Sequence, residues 1–540
     1  MKKMKKLIST VCATAMVIGM TVVPAAADTG DTISVTGLGE GDTASYFQIL
    51  NWSETDGWQL DDAMANSGLT ADNLTDGINA SEAATIATAY QSADADGSLT
   101  ISGTTGTSPV DMAKGLYYVR VIPGTAGVIY NPIFVGNDFD DASANSVDAS
   151  TAVYEGTAVA KKQETGLEKT AGSEEDAQKD VAVGDTVLFT IDTTMPAYTG
   201  GYTSKTFTIT DTLSTGLTLN ADSIQVTNST DGSTYTAVDA ADYTVTTTDS
   251  GFEVSFRESY FTKRVNLSTP IRIQYSATVT SEAQYNYNEM DNTATLTYTN
   301  NPGGDENTVT DKTRHYTFSI GATLLGNGTT EKVTHEAVKV VAGSDLALQY
   351  ETGSTVTTYH STTSTTDTYS GLAEAGFTLY KTRNTDGTYA DPTGDEFTTT
   401  DTGNITFQGL DAGTYYLVET TVPNGYTKAA DHTIVITPTY DLSVEAGGDG
   451  DDETLDTYTV TVDGLSAVTY NITNEVNDDG SETSWSEVTD GSTSAGIANN
   501  EGANLPTTGG IGTRIFYAVG GILVLAAVVL LVSRRRMGKA

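Results

Sequence analysis

Few residues in this 540-residue chain are suited to redox, metal or nucleophilic chemistry. The one cysteine is Cys12, and the four histidines, His315, His335, His360 and His432, are scattered. The run HEAVK (335–339) places Lys339 where a zinc-binding HExxH needs its second histidine. DADG (94–97) opens like a calcium loop, but Thr105 stands where the bidentate glutamate belongs. The sequence has no phosphate loop and no Ser/His/Asp set. It therefore suggests no metal, no cofactor and no enzyme acting on an outside substrate. Lysines, carboxylates and side-chain amides remain, with one unusual stretch, NLPTTGG (504–510).

That stretch lies just ahead of an apolar run, Ile515 to Val532, whose 18 residues are about the minimum for a membrane span. Arg534, Arg535 and Arg536 follow and would hold the tail in the cytoplasm. The opposite end, MKKMKKLISTVCATAMVIGMTVVPAAADTG, has a basic start, an apolar stretch and small residues Ala25, Ala26 and Ala27 before Asp28. It reads as a secretion signal over 1–27. Cys12 lies inside it, so the mature chain has no disulfide to stabilise it.

The formal charge is −43. Lys and Arg cluster at both ends, leaving 18 basic against 70 acidic residues in between. Such a body repels phosphate backbones, so no nucleic-acid partner is expected.

The elements that must position any chemistry are strands. TFTITDTL (206–213), IRIQYSATVT (271–280), TATLTYT (293–299) and YTVTVDGL (458–465) alternate with period two between turn residues. Many short strands of this kind predict an all-β chain of tandem β-sandwiches. Residues 69–93 read as a helix decorating the first domain. GLYYVRV (115–121) echoes GTYYLVE (413–419), with Val121 at the place of Glu419. The expected domains are 28–157, 158–311 and 312–478. They are followed by a polar flexible linker, 479–504, and a C-terminal segment, 505–540.

Leu505-Pro506-Thr507-Thr508-Gly509, the hydrophobic span and the Arg-rich tail together resemble a sortase sorting signal of Gram-positive bacteria. The resemblance implies that a sortase cysteine attacks the Thr508 carbonyl and releases everything from Gly509 onward. The whole chain resembles a sortase-assembled backbone pilin with immunoglobulin-like, Cna-type domains. That family carries an acceptor lysine near the start of its second domain. Here VYEGTAVAKKQETGLEKT (153–170) offers Lys162, with Lys161 as second choice, in a degenerate motif that lacks the usual Tyr-Pro pair.

GLDAGTYYLVETTVPNGY (409–426) resembles the E-box of CnaB-type pilin domains, matching at Tyr415, Leu417, Glu419, Thr420, Pro423, Gly425 and Tyr426. In that family a carboxyl promotes an amide bond between a lysine and an asparagine. The resemblance implies Glu419 as promoter, Asn474 in VTYNITNEV as one partner and Lys339, or alternatively Lys332, as the other. The second domain resembles a CnaA-type domain, through GLEKTAG, TFTITDTLSTGLTL and MDNTATLTYTNNPGG. There the implied bond joins Lys169 to Asn292, promoted by Asp211. Val121 predicts no such bond in the first domain.

The implied function is a shaft subunit of a wall-anchored surface fimbria, the precursor resting briefly in the cell membrane. Its implied partners are a class C-type pilus sortase, a housekeeping sortase, further copies of itself, minor pilins and peptidoglycan. The alternative is a monomeric LPxTG wall-anchored adhesin, and no host or partner-cell ligand is named by either reading.

Overall fold

The computed structural model describes residues 32–137, 156–350, 359–361, 371–442, 453–502 and 511–537. Within these ranges it leaves out residues 76, 174–176, 199–201, 203, 264–267, 322, 327–329, 334–335, 343–346, 464–465, 478–481 and 490–492. The signal segment 1–27, the pentapeptide 505–509 and His335 lie outside the described residues. Strands hold 51% of the chain and helix 11%, which makes it an all-β protein. It divides into two compact units, one formed by Met1–Thr317 with Leu442–Glu453, the other by the remaining residues.

The first unit contains two sandwiches. In the N-terminal one, β1 (Ser34–Thr36), β2 (Thr43–Ser53), β3 (Gly115–Ile122), β4 (Ile133–Asn137) and β5 (Thr157–Val159) supply both sheets. One sheet runs Gly57–Leu60, β2, β3, β4, and the other runs β5, β1, Thr105–Thr107, Thr100–Ser102. Tyr117, Val119 and Val121 of β3 point into the space between the sheets, with Val35, Leu99 and Tyr130. Leu116 and Tyr118 point the other way, under helix α1 (Ala80–Ala89). Burial on both faces explains why GLYYVRV is nearly continuous in apolar character rather than alternating. The helix starts at Asn79, whose side chain accepts from the Ser81 and Glu82 amides, while Glu82 reaches back to the Asn79 amide. The helical reading of 69–93 thus resolves into Ala71–Thr75 and α1.

The domain edges differ from those read in the sequence. β5 pairs in parallel with β1, and β6 (Lys162–Glu164) pairs with Val128–Tyr130, so the N-terminal sandwich keeps the chain through residue 164. The second sandwich starts at β7 (Leu167–Ala171). It continues through β8 (Thr186–Thr194), β9 (Phe207–Leu213), β10 (Gly251–Phe256), β11 (Pro270–Val279), β12 (Met290–Thr299) and β13 (Glu306–His315). One sheet runs β7, β8, β11 and then Gln225–Asn228, and the other runs Tyr243–Thr248, β10, β9, β12, β13. Its far edge is therefore His315, not residue 311. The two sandwiches of this unit meet through hydrogen bonds. The Gly127 amide donates to the Tyr298 hydroxyl at 2.5 Å, and the Tyr202 hydroxyl donates to the Tyr130 carbonyl at 2.9 Å.

The second unit contains the third sandwich. β14 (Ala337–Val341) lies in a small sheet. A large sheet takes β15 (Gly376–Arg383), β16 (Gly413–Thr421), β17 (His432–Leu442), β18 (Glu453–Val462), β19 (Ser466–Val476) and β20 (Glu482–Val488) in that order. The chain then returns as β21 (Thr493–Asn499) to pair in parallel with β14. The segment read as a flexible linker therefore holds two strands, and this sandwich ends at Asn499, not at residue 478. SETSWSEVTD and STSAGIANN have few large apolar residues, which hid their alternation. Their inward positions are Ser486 and Val488 in one, Ala495, Ile497 and Asn499 in the other. After the undescribed sorting pentapeptide, helix α2 (Ile511–Met537) holds Tyr517–Arg535, 19 residues of mean hydropathy 2.2 and long enough to cross a membrane.

Candidate functional site, two buried clusters of lysine, carboxyl and amide

In the second sandwich the period-two pattern of three strands points polar residues inward. Lys169 sits in LEKTA on the inner side with Ala171, Asp211 in FTITDTL with Phe207, Ile209 and Leu213, and Asn292 in MDNTATLTYT with Met290, Ala294, Leu296 and Tyr298. A charged residue at such a position costs several kcal/mol unless partnered or neutralised. Asp211 and Asn292 lie on neighbouring strands of one sheet, where Leu213 is opposite Asn292 and Asp211 opposite Ala294. Lys169 comes from the edge strand of the other sheet.

The structure brings all three together. Lys169 Nζ donates to Asp211 Oδ2 and to the Tyr275 hydroxyl. Tyr275, on β11, donates to Asp211 Oδ2 at 2.6 Å and accepts from Asn292 Nδ2 at 2.8 Å. Aromatic rings enclose the amine, which lies 5.0 Å from the Phe189 centroid and 5.1 Å from that of Tyr275. Burial pushes the Lys169 amine below its ordinary pKa and the Asp211 carboxyl above its own, with their mutual attraction opposing both shifts. Both directions favour a neutral amine beside a protonated carboxyl. Asp211 Oδ1 and Asn292 Oδ1 are both buried without a hydrogen-bond partner.

In the third sandwich Lys339 lies on β14 and Glu419 on β16 of the facing sheet. Asn474 does not join them. It is exposed on β19, donating to the Leu455 carbonyl at 3.2 Å and accepting from Ser484 at 2.7 Å. The amide in the cluster is Asn499, at the end of β21. Lys339 Nζ donates to Asn499 Oδ1 and lies 3.2 Å from Glu419 Oε1, and Asn499 Nδ2 donates to that same oxygen at 2.8 Å. Glu419 Oε2 accepts from the Ala429 amide at 2.6 Å. Lys339, Glu419 and Asn499 are all buried, and burial lowers the Lys339 pKa. Lys332 lies on a hairpin strand, Thr330–Val333, paired with Thr323–Gly326, and not on β14.

The two clusters differ in layout. In the second sandwich the lysine faces the acid and the amide across the sheets. In the third, lysine and amide lie on paired parallel strands, Val341 being opposite Asn499, and the acid faces them. The signal that could have found Asn499 is its place on the inner side of an alternating run. Tyr275 carries no comparable mark, since an inward tyrosine reads as core.

Among its described residues the N-terminal sandwich has no such cluster. The Tyr117 hydroxyl donates to the Ala113 carbonyl at 2.7 Å, and the Tyr415 hydroxyl to the Asp411 carbonyl at 2.9 Å, each four residues back. This shared corner puts GLYYVRV and GTYYLVE in one register, so Val121 does occupy the place of Glu419. Among the described residues of that sandwich no lysine is buried. Lys162 is exposed on β6, while Lys161 is half-buried and its carbonyl accepts from the Asn131 amide at 3.0 Å.

Comparison with known proteins fits this architecture. Residues 359–449 match the family described as a prealbumin-like fold domain, and residues 498–537 match the LPXTG cell wall anchor motif. The trypsin-resistant surface T6 protein of Streptococcus pyogenes serotype M6 is 24% identical over 472 residues, 80% of this chain and 81% of that one. The solved T6 backbone pilin of that serotype, described as a modular three-domain structure, superposes with a TM-score of 0.57 at 19% identity. The match covers 88% of this chain and 100% of the other. This chain has the fold of a Gram-positive backbone pilin. The full-length major pilin SpaD of Corynebacterium diphtheriae is also similar, with 18% identity and a TM-score of 0.45 over 74% of this chain and 88% of that one. The resemblance to backbone pilins drawn from the sequence holds. The anchor motif and the apolar helix are those of a cell-wall-anchored surface pilin.

Proposed function

We propose that the chain is the shaft subunit of a cell-surface pilus, polymerised by a sortase and stitched internally by two lysine–asparagine amide bonds. The observation that carries this reading is the pair of buried clusters. Each sets a lysine from an early strand against an amide from a late one, in a chain whose C-terminus matches a wall-anchor motif.

The geometry supports the internal step. A neutral Lys169 amine attacks the Asn292 side-chain carbonyl carbon. Asp211 in its acid form gives a proton to the carbonyl oxygen, stabilising the charge that develops there. The carbon–nitrogen bond to the amide nitrogen breaks, ammonia leaves, and the carboxyl regains its proton. Lys339, Glu419 and Asn499 have the parts for the same reaction, with Glu419 able to take the proton from the Lys339 amine. The protein transforms only itself, once, so it is a substrate and a structural part rather than an enzyme with turnover.

Between copies, the Thr508 carbonyl passes to a pilus sortase as a thioester while the segment from Gly509 leaves. An acceptor lysine of another copy then resolves the thioester. Lys162 suits that part better than Lys161, because it is exposed on the short strand β6 while Lys161 is half-buried. Joining one end of a copy to the flank of the next repeats without closing, which yields a fibre. A housekeeping sortase would pass the finished fibre to peptidoglycan, and minor pilins would share it.

Intact mass tests the stitching. Each amide bond removes ammonia, so a fully linked body weighs about 34 Da less than its sequence, about 17 Da per covalent modification. Asp211→Ala and Glu419→Ala should each restore about 17 Da. A wild-type body of unshifted mass would falsify the internal bonds.

A further inference from the structure

We propose that Tyr275 is a further catalytic residue of the second sandwich: its hydroxyl fixes the orientation of the Asn292 amide and delivers the proton with which the amide nitrogen departs as ammonia. This rests on the Lys169–Asn292 bond proposed above and adds a residue to it.

The orientation follows from counting protons. A phenol has one proton, and here it is directed to Asp211 Oδ2 at 2.6 Å. The oxygen can then only accept from Asn292, at 2.8 Å, so Asn292 must present its NH2 group to Tyr275. That leaves Asn292 Oδ1 buried without a donor, as Asp211 Oδ1 also is, so the carbonyl oxygen is free to take a proton. With the amide turned the other way, Tyr275 would face an acceptor with no proton left to give. The hydroxyl therefore holds the amide nitrogen on its own side and leaves the carbonyl oxygen to be protonated by the acid.

The same contact places Tyr275 on the leaving group. After the Lys169 amine has bonded to the Asn292 carbonyl carbon, the adduct carries a surplus proton on the former amine. Lys169 Nζ touches both Asp211 Oδ2 and the Tyr275 hydroxyl, so that proton can pass to Asp211. Tyr275 gives its own proton to the departing nitrogen and takes one from Asp211 in return. The carbon–nitrogen bond breaks, the carbonyl reforms, and its proton goes back to Asp211. One amide and one ammonia are formed, and the acid and the phenol end as they began. Burial and the neighbouring carboxyl keep the phenol pKa well above its ordinary value, so it holds its proton until the leaving group takes it. The ring is packed independently of its hydroxyl, stacked 5.2 Å from Phe189 and edge-on 4.8 Å from Phe252. In the third sandwich the Asn499 amide nitrogen touches Glu419 directly, so that cluster is a control within the same chain.

The test follows linking in newly made full-length chain by pulse and chase, counting the joined Lys169–Asn292 and Lys339–Asn499 peptides after denaturation and digestion. Tyr275→Phe should slow the first bond by on the order of 100-fold and leave the second at the wild-type rate. Site-specific replacement of Tyr275 by 3-fluorotyrosine keeps the hydroxyl and should recover the first bond. Because the fluorinated phenol gives up its proton more readily, that bond should form faster than in wild type while the second keeps its rate. If Tyr275→Phe loses both bonds, it has failed to fold, and the fluorotyrosine rate decides alone. A wild-type rate in Tyr275→Phe, or an unchanged rate of the first bond with fluorotyrosine, overturns the role of the hydroxyl. A wild-type chain without the Lys169–Asn292 peptide overturns the bond itself.

Discussion

Lys169 and Lys339 are the two lysines buried among the described residues, and each lies against a carboxyl group, with an amide touched directly by Lys339 and shared through the Tyr275 hydroxyl by Lys169. A buried ion pair of this kind is a poor stabiliser, because desolvation offsets most of its attraction. Its better use is chemical, since desolvation is what frees an amine to attack. The corrected partner gives a sharp contrast in mass. Asn499→Ala should add back about 17 Da to the linked chain after allowing for the substitution, whereas Asn474→Ala should change only its own side-chain mass. His315 gives a pH prediction. It is buried beside Phe189, its Nδ1 is 2.7 Å from the Gln178 carbonyl, and burial lowers its pKa from 6.5 to about 4. Between those values the unfolded chain binds the extra proton, so stability is full above the upper one and is lost as pH falls toward the lower. In an unlinked Asn292→Ala chain, this costs about 3 kcal/mol between pH 7 and 4. Urea titrations of that chain with and without His315→Phe should differ by this amount in their pH dependence.

At the scale of elements, what was legible depended on large apolar residues. FTITDTL and MDNTATLTYT alternate strongly, which carries Asp211 and Asn292 on their inner sides, and the family resemblance supplied these two residues and Lys169 alike. Lys339 was also reachable, because AVKVV is short, apolar and interrupted by one charge. β21 was not. Its inner side is Ala495, Ile497 and Asn499, with one large apolar residue among serine, threonine and glycine, so a strand passed as a linker and the amide was placed on β19, two strands too early. The boundary near 158 failed for another reason. AVAKKQE pairs backward, first with β1 over a hundred residues away and then with Val128–Tyr130, and non-local pairing leaves no local trace. The elements also differ in expected stability. Closing the loop from β7 to β12 removes roughly 4–5 kcal/mol of unfolded-chain entropy by analogy with disulfides. Asp211→Ala should therefore lower the melting temperature of the second sandwich by roughly 10–20 °C. In the wild-type body, calorimetry should show the N-terminal sandwich, whose Val121 replaces the acid, melting first.

For the whole molecule, the acidic body and the two ends answer one requirement. With 18 basic against 70 acidic residues between its two ends, the body works against copies associating by contact alone, which is the requirement that the proposed covalent joining would meet. The buried amides would carry tension within a copy, and an acyl bond from Thr508 would carry it between copies. The most direct measurement is an immunoblot of cell-wall extracts boiled in SDS, comparing the native chain with Lys162→Ala and Lys161→Ala. A shaft joined through Lys162 gives a ladder of covalent multimers that persists in Lys161→Ala and collapses to a single copy in Lys162→Ala. Single copies in the native strain would contradict it and leave a monomeric wall-anchored protein.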